Sequence, residues 1–496
     1  MPGHFLAARA PTTAGPLRFR ADGSFQISIF EDLHFGENAW DAWGPEQDRS
    51  TVRVLATVLD AETPDLVVLN GDLITGENTF RANSTTYLDQ LVAPLVRRGR
   101  PWAATYGNHD SAVHLSRSAL LAREKEQWPG LSRTANMFRD ANDGSGGGDV
   151  HDDENDDEAG VTNYYLPVYG SDCTVNSDTD VADRCVPRLL LWFFDSRGGF
   201  AYQPTEGPPP VGLPNWVDAR VVAWYTQTQA ALEAKYAPMI NDNDNDNDAT
   251  PARPFVLPAL VFVHIPPNAA RALQLAGAGP DSHRQPGIND DRPLAQQAQG
   301  WCPGQTRSSH SDGGGRGTAT TGTCAYGGQD EPFMRAVAAA GNGTGVLALF
   351  SGHDHGDTWC QTWDERAAVV PGVTGTGVHV CFGQHTGYGG YGTWTRGGRQ
   401  VRITEQDLAE ANPHGGGLRR RADVETWIRL ETGAVVGAVT LNATYGRDVY
   451  PATPNTHTHC PTCDSAAAEP ATAAAAASPK LQLQTILQYF GWSTAS

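Results

Sequence analysis

Short apolar runs punctuate the chain, and their rhythm predicts its elements. Leu66–Leu69 (LVVL), Trp102–Thr105 (WAAT), Leu189–Phe194 (LLLWFF), Ala259–Val263 (ALVFV) and Gly345–Phe350 (GVLALF) lack the alternation of a half-exposed strand. Such runs suit strands of a parallel sheet covered on both faces. Phe25–Phe30 (FQISIF) alternates first and then turns apolar, which predicts an opening strand. Between strands the spacing becomes helical: Val52, Leu55, Val58 and Leu59 mark one face of a helix over Asp48–Leu59. Asn83–Val96, Ala219–Tyr236 and Glu331–Ala340 read as further helices. The order strand, helix, strand, helix, strand predicts an α/β fold with a sandwiched parallel sheet. Val378–Phe382, Val401–Thr404 and the pair Thr426–Leu430 and Ala434–Leu441, the last two joined at Glu431-Thr432-Gly433, read as later antiparallel strands.

The ends of these runs carry the chemistry. Asp32-Leu33-His34 follows the first strand, Asn70-Gly71-Asp72 the second and Gly107-Asn108-His109-Asp110 the third. Ala259–Val263 ends at His264, and Gly345–Phe350 ends at Gly352-His353-Asp354-His355. Ligands of open α/β sheets sit beyond the carboxyl ends of the strands. In an extended segment residues i and i+2 point the same way, so Asp32 with His34, and His353 with His355, are each expected to aim two donors into one pocket. Carboxylate, imidazole and amide donors without a thiolate suit Mn, Fe or Zn. Asp72 reads as a carboxylate shared by two ions ~3.5–4 Å apart, the arrangement for in-line attack on phosphorus. Each fragment alone has a plain structural reading: Gly-Asp as a turn, a strand-end His as a surface or satisfied core residue, Asn-His-Asp as a helix cap. Their common place at strand ends, in this order, favours a metal centre.

That order, D-x-H, G-D, G-N-H-[DE], H and G-H-x-H, resembles the calcineurin-like metallophosphoesterase superfamily. PLRFRADGSFQISIFEDLHFGENAW and GYGGYGTWTRGGRQ look like its fungal and plant branch of Dcr2-type and purple-acid-phosphatase-29-like phosphatases. The resemblance covers about Pro16–Tyr445, outside the low-complexity inserts. It implies a four-layer α/β/β/α sandwich of two mixed sheets, with a dimetal site along one rim. By that resemblance one ion takes Asp32, His34, Asp72 and His355, and the second takes Asp72, Asn108, His264 and His353. His109 would stabilise the transition state or protonate the leaving oxygen. A hydroxide bridging the ions would attack phosphorus, with no covalent phosphoenzyme. Purple acid phosphatases carry GDxxY, whose Tyr colours the ferric ion; Thr75 stands at that position, which implies a colourless enzyme.

Composition narrows the picture. The net charge is -20, but Asp140–Glu158 holds nine carboxylates and Asn241–Asp248 (NDNDNDND) four, so the remainder is only mildly acidic. An acidic balance argues against nucleic acid as a partner. The eight cysteines fall into near pairs, Cys173/Cys185, Cys302/Cys324, Cys360/Cys381 and Cys460/Cys463, which suit local disulfides in an oxidising compartment. Sequons at Asn83, Asn342 and Asn442 point the same way, towards a secreted or vacuolar glycoprotein. MPGHFLAARAPTTAG lacks the apolar run of a signal peptide, and no stretch is long enough to span a membrane.

The expected division is an N-terminal arm over 1–20, a catalytic domain over 21–450, and an Ala/Pro/Thr-rich tail over 451–496 ending in a short helix, Leu481–Trp492. Within the domain, 140–160 and 241–250 read as solvated low-complexity inserts, and 269–328 as a long loop over the site. NDNDNDND lacks the Gly and distal Glu of a calcium loop. His457-Thr-His459-Cys460-Pro-Thr-Cys463 has zinc-like spacing without a second Cys/His group beyond it, and a disulfide or disordered tail is favoured.

Softer candidates surround the ligand set. Asp110 and Asp48 are candidate carboxylates behind the ligands, with helix N-capping an equal account of Asp48. Arg197 is a candidate phosphate contact, with a structural salt bridge favoured. His385, Tyr388, Tyr391 and Arg396 are candidate pocket residues or loop residues without a role. The expected activity is a metal-dependent phosphomonoesterase acting on phosphoproteins or small phosphate esters. A phosphodiesterase with the same site is the alternative, and a catalytically inactive binding protein of this fold a weaker one. No G-x-S-x-G or G-x-x-x-x-G-K-[ST] motif occurs. Oligomeric state is not readable from the chain.

Overall fold

The computed structural model describes residues 15–138, 156–176, 178–205, 207, 209–241, 255–276, 281–298, 326–341, 345–365, 372–411 and 422–458. The first stretch runs β1 (Ser24–Phe30), α1 (Gly44–Glu62), β2 (Leu66–Asn70), α2 (Thr86–Arg97), β3 (Trp102–Thr105) and α3 (Arg117–Gln127). The middle adds β4 (Tyr164–Tyr169), α4 (Asp178–Arg184), β5 (Pro187–Phe194), α5 (Ala219–Asn241), β6 (Ala259–Val263) and α6 (Asn268–Leu275). The last part is α7 (Glu331–Gly341), β7 (Val346–Ser351), β8 (Cys360–Trp363), β9 (Val378–Phe382), β10 (Gly397–Thr404), α8 (Glu405–Ala411), β11 (Val424–Leu430) and β12 (Val435–Leu441).

Period-two burial in the strands sets the layers. Along β5, Leu189, Leu191 and Phe193 enter one apolar cluster while Leu190, Trp192 and Phe194 enter another. Along β2, Leu66 and Val68 join the first of these clusters, and Val67 and Leu69 face a third with Val54, Leu55, Val58 and Leu59 of α1. The shared cluster also takes Ile27 and Ile29 of β1, Phe262 of β6 and Phe350 of β7, so it lies between two sheets. Helices α1 and α2 cover the outer face of one sheet, and α5, α6 and α7 that of the other. The result is a four-layer α/β/β/α sandwich. The two sheets run β12-β11-β10-β1-β2-β3 and β4-β5-β6-β7-β9-β8.

Both sheets are mixed. β1, β2 and β3 are parallel, in register Ile27↔Leu66 and Val67↔Trp102, while β10 runs antiparallel to β1. β5, β6, β7 and β9 are parallel, with β4 and β8 antiparallel at the edges. The carboxyl ends of β1, β2, β3, β6 and β7 are followed by Asp32, Asp72, Asn108, His264 and His353. Parallel strands put five such ends on one rim.

Several expectations change. Val378–Phe382 (β9) pairs antiparallel with β8 as expected but parallel with β7, because the chain runs back along the edge strand β8 before turning into β9. β4 was not legible: Pro167 breaks its pattern, and Pro is tolerated there because β4 is an edge strand. Helix α1 starts at Gly44, so Asp48 lies inside it and cannot be its N-cap. Within the expected loop over 269–328, residues 268–275 form α6 and residues 281–298 pack on the end of the β7 motif, with Ala295 N–H donating to Asp354 Oδ1 at 2.9 Å. Of the arm, Phe19 is buried and its N–H donates to Tyr169 O at 3.0 Å, while residues 1–14 lie outside the described residues. Of the 140–160 insert, Ala159 is buried and Gly160 packs on Asp195; residues 139–155 lie outside the description. At the start of the tail Thr395 N–H donates to Thr456 O at 2.8 Å, and His457 pairs with Trp394. The NDNDNDND repeat beyond Asn241, Cys302/Cys324, Asn342, Cys460/Cys463, His459 and Leu481–Trp492 also lie outside the described residues. Cys173–Cys185 and Cys360–Cys381 form disulfides.

Candidate metal centre

The loops after β1, β2, β6 and β7 close on one pocket. Asp32, His34 and His355 offer one set of donor atoms within 4.8 Å of one another, and Asp72, His264 and His353 a second. Asp72 joins the sets: its Oδ2 lies 3.0 Å from His264 Nε2 and 3.8 Å from His34 Nε2. Asp32 Oδ1 lies 3.7 Å from His355 Nε2 and 4.0 Å from His264 Nε2.

The donors do not converge by the extended i, i+2 geometry. Asp32, His34, Asp72 and His353 have φ of 53°, 49°, 50° and 75°. The left-handed region costs a non-glycine residue ~1–2 kcal/mol, so the rim stores strain that the surrounding contacts must offset. Backbone hydrogen bonds hold it: Leu33 and His34 N–H both donate to Asp72 O, at 2.8 and 3.0 Å, and His353 N–H donates to Asp32 Oδ1 at 3.0 Å. His355 falls with Asp32 and His34, and His353 with Asp72 and His264, the division that the resemblance implies. Gly71 admits the approach of β6: a Cβ there would fall 2.4 Å from the His264 ring.

The chemistry of the donor set fits cations. His264 Nδ1 and His355 Nδ1 are engaged by the carbonyls of Asn70 and Tyr391 at 2.8 and 2.9 Å, and His34 Nδ1 by Thr75 Oγ1 at 3.2 Å. With its Nδ1 proton held by a carbonyl, neutral His355 turns an Nε2 lone pair inward. His34 Nε2 and His355 Nε2 stand 3.2 Å apart, close enough to share one cation. Asn108 Oδ1 is buried without a hydrogen-bond partner. Burial lowers His264, yet the facing carboxylates of Asp72 and Asp32 overcome this and raise it to about 9. Burial would raise Asp72, but His264 and His109 hold it well below the usual carboxylate range. Burial, with the charge of His109, holds His34 down to about 4, so it is neutral at pH 7. The pocket thus demands positive charge and offers neutral imidazoles to bind it.

His109 takes a separate place. Its ring meets that of His34 edge-on at 4.9 Å, and its main-chain N–H donates to Asp72 Oδ1 at 2.8 Å. Its Nδ1 lies 2.6 Å from Glu77 Oε1. Burial lowers His109, but Glu77 and then Asp72 raise it to about 10. Glu77 was missed in the sequence; its one signal is an acidic residue in the loop opened by Gly71-Asp72.

The remaining candidates resolve as supports. Asp110 accepts from Leu73 and Ile74 N–H at 2.9 Å and from Gly107 N–H at 2.8 Å, tying two ligand loops together. Asp48 accepts from Gly36 N–H at 3.2 Å, so it orders the loop after His34 rather than a histidine ring. Arg197 is buried and spent on Asp218, at 3.1 Å, and on the Trp216 and Glu158 carbonyls, so it is a structural ion pair rather than a phosphate contact. His385 is buried behind His355, ring to ring at 4.0 Å. Tyr388 donates to Glu431 at 2.7 Å under the Arg396 guanidinium, and Arg396 itself is buried on the carbonyls of Gly387, Gly392 and Trp394.

Two relatives and one solved structure resemble this chain. Probable inactive purple acid phosphatase 28 of Arabidopsis thaliana is 26% identical over 426 residues, which is 84% of this chain and 83% of that protein. Phosphatase DCR2 of Saccharomyces cerevisiae is 32% identical over 202 residues, 39% of this chain and 30% of that protein. A dimetal phosphatase from Danio rerio superposes with a TM-score of 0.42 at 12% identity, over 84% of this chain and 98% of that chain. The calcineurin-like phosphoesterase model matches residues 29–232, a span that holds Asp32, His34, Asp72, Asn108 and His109. Over that span the chain is similar to the calcineurin-like phosphoesterase family.

Proposed function

We propose that this protein is a dimetal-dependent phosphomonoesterase acting on phosphoproteins or small phosphate esters. The observation that carries this reading is the pair of donor sets, Asp32/His34/His355 and Asp72/His264/His353, joined through Asp72. With Asn108, these residues would hold two ions drawn from Mn, Fe or Zn. When bound, such a pair supplies Lewis acidity to the phosphoryl group and lowers the pKa of a water for in-line attack. Asp72 holds the two sets in register. His109, kept protonated and oriented by Glu77, delivers its proton to the leaving oxygen.

The name of the Arabidopsis relative, which includes the words "probable inactive", favours a second reading as a binding protein without turnover. The complete donor set and the His109–Glu77 pair support the active one. Hydrolysis of p-nitrophenyl phosphate and of its bis-ester by Mn-, Fe- and Zn-loaded protein separates the cases. Chelator-sensitive turnover of the monoester is expected. A strong bis-ester preference identifies a phosphodiesterase, and no turnover with two bound ions identifies a binding protein. The two described disulfides support a secreted or vacuolar location. No helix of the described residues is long and apolar enough to cross a membrane.

A further inference from the structure

His355 is gripped by a segment, Gly389-Gly390-Tyr391, whose tyrosine is a candidate pocket residue of the sequence. The Tyr391 ring lies 4.1 Å from the His355 ring at an interplanar angle of 9°. The Tyr391 carbonyl accepts from His355 Nδ1 at 2.9 Å, and its hydroxyl accepts from the His355 main-chain N–H at 3.0 Å. That hydroxyl also donates to Asp291 Oδ2 at 2.5 Å, and the same carboxylate oxygen accepts from Gly356 N–H at 2.8 Å. One phenol therefore accepts from the motif loop and donates to the carboxylate behind it, using both of its hydrogen-bonding capacities. Gly390 makes the approach possible: its φ is +72°, and a Cβ there would fall 2.4 Å from His355 Cε1 and 2.9 Å from His34 Cδ2. From the other side, Glu37 Oε2 accepts from Gly390 N–H at 2.5 Å.

We infer that Tyr391, seated by Asp291, is a positioning residue for His355. An imidazole beside a cation site has two freedoms, its ring plane and its tautomer. Stacking on Tyr391 fixes the first, and the Tyr391 carbonyl fixes the second by holding the proton on Nδ1. Nε2 is then presented to Asp32 and His34. The inference rests on the dimetal reading, and it goes beyond it by making the tightness of one ion depend on a residue that does not touch that ion. Partners of this kind typically change metal affinity ~10–100-fold when removed.

The test is titration of apo-protein with Mn(II), followed through the electron paramagnetic resonance of the free ion, for wild type, Tyr391→Leu and Tyr391→Phe. Wild type is expected to bind two ions. Tyr391→Leu, which loses stacking and hydroxyl, is expected to weaken one of them ~10–100-fold and leave the other unchanged. Tyr391→Phe keeps stack and carbonyl and falls between the two proteins. If Tyr391→Leu fails to fold, as judged by circular dichroism, Tyr391→Phe carries the test alone through a several-fold weakening at one site. Two ions in wild type with no change in the variants, or with equal weakening at both sites, overturns the inference. A pure rise in KM, which would mark Tyr391 as a substrate contact, overturns it too. Fewer than two ions in wild type is a different failure, that of the dimetal reading itself.

Discussion

Replacing Glu77 by Gln removes the charge of the group that holds His109 Nδ1, and keeps a neutral acceptor in its place. A hydrogen bond to a charged group contributes about 1.5–3 kcal/mol. The His109 and Glu77 side chains are 34% and 30% exposed, and solvent screening at that exposure takes the value to ~1–2 kcal/mol. Converted to rate this is a fall of ~5–30-fold in kcat. The pH profile carries a second signature. His109 acts in its protonated form and Glu77 raises its pKa, so activity is lost as pH rises through that pKa. Without the Glu77 charge the alkaline limb moves to lower pH by ~1 unit, since ~1.4 kcal/mol corresponds to one unit. A proton donor matters most where the leaving oxygen is basic, so the deficit is expected to be larger on an alkyl phosphate than on p-nitrophenyl phosphate. The assay is kcat against pH on both substrates at saturating Mn, with metal content measured alongside. Equal deficits on the two esters with an unmoved alkaline limb, or a loss of bound metal, refute the role assigned to this pair.

Further outcomes follow from the same geometry. His109→Ala is expected to retain metal while slowing turnover by ~10²–10⁴-fold, and adding Glu77→Gln to it should cost little more, because the two act as one unit. Asp110→Ala strands three main-chain N–H groups, of Leu73, Ile74 and Gly107, and at ~1–3 kcal/mol each the loss in urea unfolding is expected to be at least ~3 kcal/mol. Full stability in that variant contradicts its bracing role. Gly71→Ala adds a Cβ 2.4 Å from the His264 ring at a φ of +92° and is expected to displace that ring, weakening one ion in the Mn titration. Iron-loaded protein is expected to lack a visible tyrosinate band, because Thr75 contacts His34 Nδ1 where a phenolate would colour the ion; an intense band near the purple region argues against that assignment.

The sequence spoke most clearly where burial was most complete. β2, β3, β5, β6 and β7 are covered on both faces, so each is an uninterrupted apolar run and each was legible. β10 was found only in its second half. Its first half, Gly397-Gly398-Arg399-Gln400, is polar yet buried, with the Arg399 guanidinium satisfied by Phe382 O, Thr358 O and Thr426 Oγ1. β4 hid behind Pro167, and β8 is a four-residue edge strand. The donor residues were legible because metal chemistry restricts residue type and the parallel sheet restricts place. Their grouping followed from the resemblance rather than from spacing, because it depends on left-handed turns at Asp32, His34, Asp72 and His353 that no spacing rule encodes. Glu77 and Asp291, and the role of Tyr391, escaped for a related reason. They act from loops, on atoms far along the chain: Asp291 reaches Tyr391 across 100 positions, and Tyr391 does half its work through main-chain atoms.

Metal content before and after loss of the shared carboxylate tests the account most directly. Purified wild-type protein, measured by elemental analysis together with chelator-sensitive phosphatase activity, is expected to hold two ions per chain, and Asp72→Asn to lose both ions and turnover together. Wild type that turns over phosphate esters with less than one ion bound, or an Asp72→Asn protein that keeps two ions, contradicts it.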